Sequence, residues 1–237
     1  MKQQQSGFTL VEIAIVLVII GLLLGGILKG QELITNAKVR NVADQQNSVK
    51  AAFFAFQDRF RALPGDYTQG AANIPNTVAP CDVVTSTSKL DTTKKSICAW
   101  HQITNAGFIS CSVCSTDHSG DAAISSNNSP VNAYNGAMTV FWDADFNNAV
   151  GAANPVNNLK SGSQVPSNVL AEVDRKIDDG NPSTGSFRYS NNTAAGTVTA
   201  GVAACTTTTS GTGAGSATSP AWAANPPESN CGAAGMF

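Results

Sequence analysis

The sequence predicts an α+β protein in which one long N-terminal helix packs on a small antiparallel sheet with disulfide-tied loops. Residues 8–28 form a long apolar run, and no proline interrupts positions 8–63. Residues 64–237 are rich in Ser, Thr, Asn, Gly and Ala, which favours short strands and surface loops over a helical bundle. Six cysteines, an even number, all lie beyond the apolar run, which is typical of disulfides in an exported domain.

The apolar run predicts a transmembrane helix. From Phe8 to Leu28 it has 21 residues, and at about 1.5 Å per residue such a helix matches the hydrocarbon core of a bilayer. One acid, Glu12, lies a turn inside the run, where a charge costs roughly 2.5–3.5 kcal/mol on insertion scales. An acid kept at that cost indicates a functional role. Residues 1–7, with Lys2, form a short polar leader before the run.

Two simpler interpretations of the run fit less well. An ordinary secretory signal ends at a small-x-small cleavage site, whereas Lys29-Gly30-Gln31 follows here, and the run is longer than a usual signal core. A simple uncleaved anchor has no need of Glu12 or of Gly7-Phe8.

Residues 29–63 are expected to continue the helix in amphipathic form. Hydrophobic residues recur there at steps of three, four and seven, a helical stripe that would pack against a sheet. Pro64 predicts the end of the helix, because a proline biases the residue before it away from helical geometry, and Gly65 continues the turn. The stripe consists of Val39, Val42, Val49, Phe53, Phe56, Phe60 and Leu63.

The exported head is expected to span residues 64–237. Cys98–Ile109 predicts a short amphipathic helix closed by Gly107, and Val173–Pro182 predicts a helix end followed by a turn. Trp142–Asp145 alternates like a strand at the edge of a sheet. Residues 155–165 and 193–227 are expected to be loop or irregular, and the second is of low complexity in Thr, Gly, Ala and Ser.

The N-terminal segment resembles the type IV prepilin family, which includes the pseudopilins of type II secretion. The resemblance is carried by Gly7-Phe8-Thr9-Leu10-Val11-Glu12, set at the start of the apolar run behind a short leader. It implies that a membrane peptidase cuts between Gly7 and Phe8 and methylates the new N-terminus of Phe8. It also matches Glu12 to the family's glutamate, five residues into the mature chain. A buried carboxylate favours a cation, and the amine of a neighbouring subunit can supply one.

Many type IV pilins also carry a proline shortly after this segment, and the residues near Lys29 include none. Glycines 21, 25, 26 and 30 weaken the helix, each by about 1 kcal/mol relative to alanine, and small residues permit close helix contacts in a membrane. A local kink and simple tolerance of glycine both remain open.

The resemblance implies a pilin-like fold and a structural function. The protein would be a subunit of a type IV pilus or pseudopilus-like fibre, anchored by one pass in the inner membrane with its head in the periplasm before assembly. Its implied partners are other pilin or pseudopilin subunits, the prepilin peptidase and an inner-membrane assembly platform. An alternative is a minor or tip pilin whose head is a binding module for a surface, DNA or a secreted substrate.

Composition argues against other classes of function. The net charge is −2 and 13% of residues are charged, so no basic face for nucleic acid is expected in the bulk of the chain. No nucleophile elbow, P-loop or dinucleotide fingerprint is present in the sequence, so neither enzymatic turnover nor a cofactor is expected.

The six cysteines allow 15 disulfide connectivities, and sequence alone does not choose among them. As a working hypothesis we pair Cys81 with Cys98, Cys111 with Cys114, and Cys205 with Cys231, the last because pilins often carry a disulfide loop at the C-terminus. A competing interpretation is a zinc site, because tetrahedral zinc takes four Cys or His ligands. A redox role for Cys111-x-x-Cys114 would want a thioredoxin-like βαβ context, which is absent. The zinc set would be Cys98, His101, Cys111, Cys114 and His118.

Asp178 and Asp179 are candidate calcium ligands, in the turn Asp178-Asp179-Gly180-Asn181. Major pseudopilins carry a calcium loop near the C-terminus, but their Pro-Trp-Gly stretch and Asp-rich tail are not found here. The sequence also lacks EF-hand spacing. The competing interpretation is a solvated turn with a capping aspartate, which needs no metal.

Overall fold

The computed structural model describes residues 9–77, 81, 86–116, 120, 123–146, 153–191, 205–207 and 221–237. The chain divides into two compact units, one ending at Lys38 and one over Val39–Phe237. The helices are α1 Leu10–Phe60, α2 Gly70–Asn73, α3 Thr93–Asn105 and α4 Ser167–Ile177, with a short 3₁₀ turn at Val113–Ser115. The strands are β1 Thr139–Asp143, β2 Val156–Lys160, β3 Phe187–Tyr189 and β4 Ala233–Met236.

In the first unit, α1 carries a long apolar stretch that is not covered by other described residues. Its most apolar window of 18 residues has a mean hydropathy of 2.8, and none of that window is buried within the protein. By length and composition this part of the helix is able to cross a membrane.

In the second unit, α1 buries the predicted hydrophobic stripe. Val39 and Val42 join one core cluster, and Phe53 and Phe56, both fully buried, join another. The helix ends at Phe60, three residues before the expected Leu63. Arg61 takes a left-handed φ of 54°, so the helix stops before the constraint imposed by Pro64 is reached.

The four strands form one antiparallel sheet in the order β1-β2-β4-β3. One face carries Leu159, Phe187 and Gly235 towards the core and α1. A Cβ at Gly235 would lie 2.8 Å from Gln46 Oε1 and 3.1 Å from Lys50 Cε, so glycine permits the close approach of β4 to the helix. The sheet and the long helix confirm the predicted α+β, pilin-like class.

The expectation of a loop over residues 155–165 was wrong, because Val156–Lys160 is a central strand. Two of its polar side chains, Asn158 and Lys160, find hydrogen-bond and charge partners on the neighbouring strand. Lys160 pairs with Asp143 of β1, and Asn158 Nδ2 donates to Asp143 Oδ1 at 3.0 Å. Leu159, between them, points to the opposite face and is fully buried. The second expected loop, 193–227, lies largely outside the described residues.

α3 and α4 fall in segments predicted to be helical, although α3 begins at Thr93, five residues before the expected Cys98, and ends at Asn105. α3 begins at Thr93 behind the N-cap Thr92, whose hydroxyl accepts from Lys95 N at 3.2 Å, and Gly107 follows its end with a φ of 85°. α4 ends at Ile177, as the expected helix end and turn require.

A buried ion pair ties the segment after α1 to α3. Asp66 is fully buried, and its Oδ1 lies 2.8 Å from Lys95 Nζ. Asp66 Oδ2 accepts from Ser86 Oγ at 2.6 Å and from the backbone N of Thr87 and Ser88 at 2.8 and 2.6 Å. Burial alone raises the pKa of Asp66, but Lys95 and these hydrogen bonds outweigh it, so the pKa is lowered.

Candidate functional site

The site begins at the N-terminus of α1, where Thr9 and Glu12 cap the helix reciprocally. Thr9 N and Thr9 Oγ1 donate to Glu12 Oε2 at 2.8 and 2.7 Å. Glu12 N donates back to Thr9 Oγ1 at 3.3 Å. This is a capping box, which satisfies two backbone donors at the start of the helix. The carboxylate also complements the positive end of the helix dipole.

Sequence reasoning missed Thr9, although the signal was present. A Thr followed three residues later by Glu at the head of an apolar helix is the capping-box pattern. Glu12 therefore has a local structural role in the single subunit in addition to the assembly role that the resemblance implies. Gly7 and Phe8, the predicted cleavage and methylation residues, lie outside the described residues.

The surface around Glu12 is apolar and exposed. Leu10 and Val11 are 86% and 64% exposed, and large aliphatic side chains stay about half exposed or more as far as Leu28. No described residue covers this stretch. Such a surface is stable only when lipid or other apolar helices surround it.

In the second unit the six cysteines form three disulfides: Cys81–Cys98, Cys111–Cys114 and Cys205–Cys231. These pairs coincide with the working hypothesis. The last pair joins the residues on either side of a long segment and fixes the start of the C-terminal strand β4.

The zinc set is not assembled as metal ligands, because the sulfurs of Cys98, Cys111 and Cys114 are all in disulfides. His101 is buried, and its ring is held by hydrogen bonds. Nδ1 lies 3.0 Å from Cys114 O, a contact that requires a proton on Nδ1, and Asn105 Nδ2 lies 3.2 Å from Nε2. His118 lies outside the described residues.

The calcium candidates Asp178 and Asp179 organise the turn after α4. Asp178 Oδ2 accepts from the backbone N of Ser186 and, at 2.8 Å, from that of Phe187. Asp179 Oδ1 accepts from Asn181 N at 2.9 Å. Hydrogen bonds from backbone N–H groups to aspartate oxygens are typical of a turn with capping aspartates.

The structure adds a third acid to this turn, Asp174 of α4. One carboxylate oxygen from each of Asp174, Asp178 and Asp179 lies within 4.8 Å of the others. Asp174 is fully buried, and Trp222 Nε1 donates to its Oδ2 at 2.8 Å. The donor set is one that calcium accepts, but the oxygens of Asp178 and Asp179 named above already serve the backbone.

The environment of Asp174 disfavours its charged form. Burial raises its pKa to about 6, and the neighbouring Asp179 and Asp178 add to that rise, while the hydrogen bonds from Trp222 and Gly180 oppose it. Sequence reasoning missed Asp174, because its partner Trp222 is 48 residues away along the chain.

The N-terminal segment matches one family model. Residues 2–28 match the prokaryotic N-terminal methylation motif, which is the prepilin-type signature. Comparison with curated proteins and with solved structures finds no match for the chain. Proteins with this signature are structural, and the apolar helix behind it indicates an anchor in the inner membrane. The chain therefore carries the prepilin-type methylation signature on a pilin-like fold, so it is similar to type IV pilins and pseudopilins.

Proposed function

We propose that this protein is a structural subunit of a type IV pilus or pseudopilus-like fibre. The observation that carries the proposal is the methylation motif over residues 2–28, which includes the start of an uncovered apolar helix with Glu12 in its first turn. The helix is inserted once in the inner membrane with the head, residues 64–237, in the periplasm. The function is mechanical, without catalytic turnover.

Processing creates the group that assembly uses. The prepilin peptidase cuts between Gly7 and Phe8, and the amine of Phe8 is methylated. A secondary amine keeps its positive charge at neutral pH. In the fibre, this amine of one subunit pairs with Glu12 of its neighbour, and the assembly platform brings the two subunits together.

The capping box supports this mechanism for a physical reason. A charged carboxylate in lipid is costly, and the two Thr9 donors to Glu12 Oε2 lower that cost in the unassembled subunit. Pairing with a cation in the fibre lowers it further, because opposite charges attract strongly in an apolar medium. The two charges meet only when the neighbouring helices are aligned at one relative height. The pairing therefore also fixes the register between subunits.

The test separates the charge of Glu12 from its capping role. Glu12→Gln keeps an oxygen that accepts from Thr9 but removes the charge. Thr9→Ala removes the hydroxyl of the cap and keeps the charge. Glu32→Gln is the matched control, because Glu32 is an exposed acid on the same helix that lies beyond the apolar run and pairs with Lys29 at 2.7 Å.

The measurement compares cleaved protein in membranes with protein in sheared fibres for each variant. Glu12→Gln is expected to remain inserted and cleaved but to be lost from fibres, whereas Thr9→Ala and Glu32→Gln assemble. If Glu12→Gln enters fibres as well as the wild type does, the charge of Glu12 does not direct assembly. If Thr9→Ala fails equally, assembly needs the cap as well, and the charge of Glu12 is not its sole requirement.

A further inference from the structure

We propose that the Cys111–Cys114 disulfide is a thiol–disulfide exchange site, which a thioredoxin-type protein dithiol reduces while the other two disulfides persist. The site acts as the substrate of the exchange, not as an oxidoreductase. The proposal does not depend on fibre assembly.

Accessibility distinguishes this disulfide from the others. Cys81, Cys98, Cys205 and Cys231 are at most 1% exposed, so a thiolate reaches their sulfurs only when the protein opens. Cys111 is partly exposed, and its neighbours Ser110 and Ser112 are exposed. Cys114 is 2% exposed. Cys111 is therefore the cysteine of the six most open to attack by a thiolate, and Cys114 is the leaving group.

The fold is expected to tolerate loss of this bond. The two cysteines are 3 positions apart, against 17 and 26 for the other pairs, and the entropic stabilisation from a disulfide grows with the loop that it closes. The turn also has bonds of its own. Cys114 N donates to Cys111 O at 3.1 Å, and Cys114 O is held by His101 of α3. After reduction, these contacts keep both thiols in place for re-oxidation.

The turn also offers a protein partner an apolar contact. Val113, between the two cysteines, is 38% exposed. Among the described residues of Val39–Phe237, only Phe54 is another large aliphatic or aromatic side chain with comparable exposure. An exposed apolar side chain next to Cys111 gives a protein reductant apolar surface to bury on contact, whereas a small reagent buries very little of it.

The exchange balances in two steps. A thiolate of the dithiol attacks Cys111 Sγ, forms a mixed disulfide and releases Cys114 as a thiolate, which takes up a proton. The second thiol of the dithiol protein then attacks that protein's own sulfur in the mixed disulfide. Cys111 leaves as a thiolate and takes up the proton that the second thiol loses. The dithiol is oxidised to a disulfide, and this protein gains two thiols.

The experiment uses the full chain in detergent micelles, with reduced thioredoxin or dithiothreitol as the reductant. Free thiols are trapped over time with one alkylating reagent, the remainder are reduced and labelled with a second, and peptide mass spectrometry gives the rate for each pair. Cys111 and Cys114 are expected to react at least about tenfold faster than the other pairs, because a buried disulfide can be reduced only after the protein opens locally. In Cys111→Ser/Cys114→Ser the fast reaction disappears and the two slow rates stay unchanged.

A second variant tests the contact with the partner. Val113→Ser is expected to slow reduction by thioredoxin about threefold or more and to leave reduction by dithiothreitol unchanged. Equal rates for all three disulfides, or reduction of another pair first, overturns the proposed site. A Val113→Ser rate equal to wild type with both reductants overturns the role of Val113 in recognition.

Discussion

Replacing Asp174 with Asn is predicted to stabilise the protein at neutral pH, although Asp174 is buried and hydrogen-bonded. The fully buried carboxylate has its pKa raised from 3.8 to about 6, mainly by burial. A folded-state pKa above the unfolded value means that the folded state binds the proton more tightly. Above pH 6 the charged group therefore destabilises the fold, and the destabilisation disappears as the pH falls through 6 towards 4.

The magnitude follows from the pKa. One pKa unit corresponds to about 1.4 kcal/mol, so the rise to about 6 corresponds to roughly 3 kcal/mol above pH 7. An Asn side chain has nearly the same shape, and its oxygen can still accept from Trp222 Nε1. We therefore expect Asp174→Asn to raise the free energy of unfolding by about 2–3 kcal/mol at pH 7.5 and to leave it almost unchanged at pH 4.

The assay is urea unfolding of the full chain in detergent at several pH values, followed by tryptophan fluorescence, with Glu172→Gln as the control. Glu172 is a partly exposed acid on the same helix, paired with Arg175, and its replacement is expected to change stability by less than about 0.5 kcal/mol. Equal destabilisation by Asp174→Asn at both pH values would refute the reasoning. Added calcium that stabilises the wild type but not Asp174→Asn would show that the acidic turn holds a cation.

Three further predictions concern the head. Asp66→Asn removes the buried partner of Lys95 and leaves it only the more exposed Asp91, at 3.4 Å, so it is expected to cost about 3 kcal/mol in unfolding free energy. Because the pKa of Asp66 is lowered, the stability that this pair gives the wild type is present at neutral pH and is lost as the pH falls through that lowered pKa. Gly235→Ala is expected to cost less than about 1 kcal/mol by the same assay, because its Cβ would meet only the ends of the Gln46 and Lys50 side chains, which can move aside; a cost above about 2 kcal/mol would mean that these ends are held in place. Thiol titration in denaturant, with metal analysis, is expected to find no free thiols and no stoichiometric zinc; four or more thiols with one zinc would favour the metal interpretation.

Local patterns predicted α1, α3 and α4, but not the short α2. The stripe from Val39 to Phe56 recurs with helical spacing, and burial follows it because a single hydrophobic face decides which side of α1 packs. The strand β2 was missed for the opposite reason. Asn157, Asn158 and Lys160 have low strand propensity, and the partners that hold Asn158 and Lys160 lie on β1, which no local pattern reveals.

Some residues of the candidate site could likewise be predicted from local sequence, and others could not. Glu12 stands out in sequence because one acid in an apolar run is costly, whereas its partner Thr9 becomes visible only as the other half of a capping pattern. Asp174 could not be singled out, since its perturbation depends on burial by distant segments and on Trp222. Properties set by contacts far apart in sequence need the fold.

The mass of the mature N-terminus tests the central claim most directly. Protein isolated from membranes or fibres and digested for mass spectrometry is predicted to yield an N-terminal peptide that begins at Phe8 and carries one methyl group on its amine. An intact Met1, or a first residue beyond Leu28, would contradict the proposal that this chain is a processed fibre subunit.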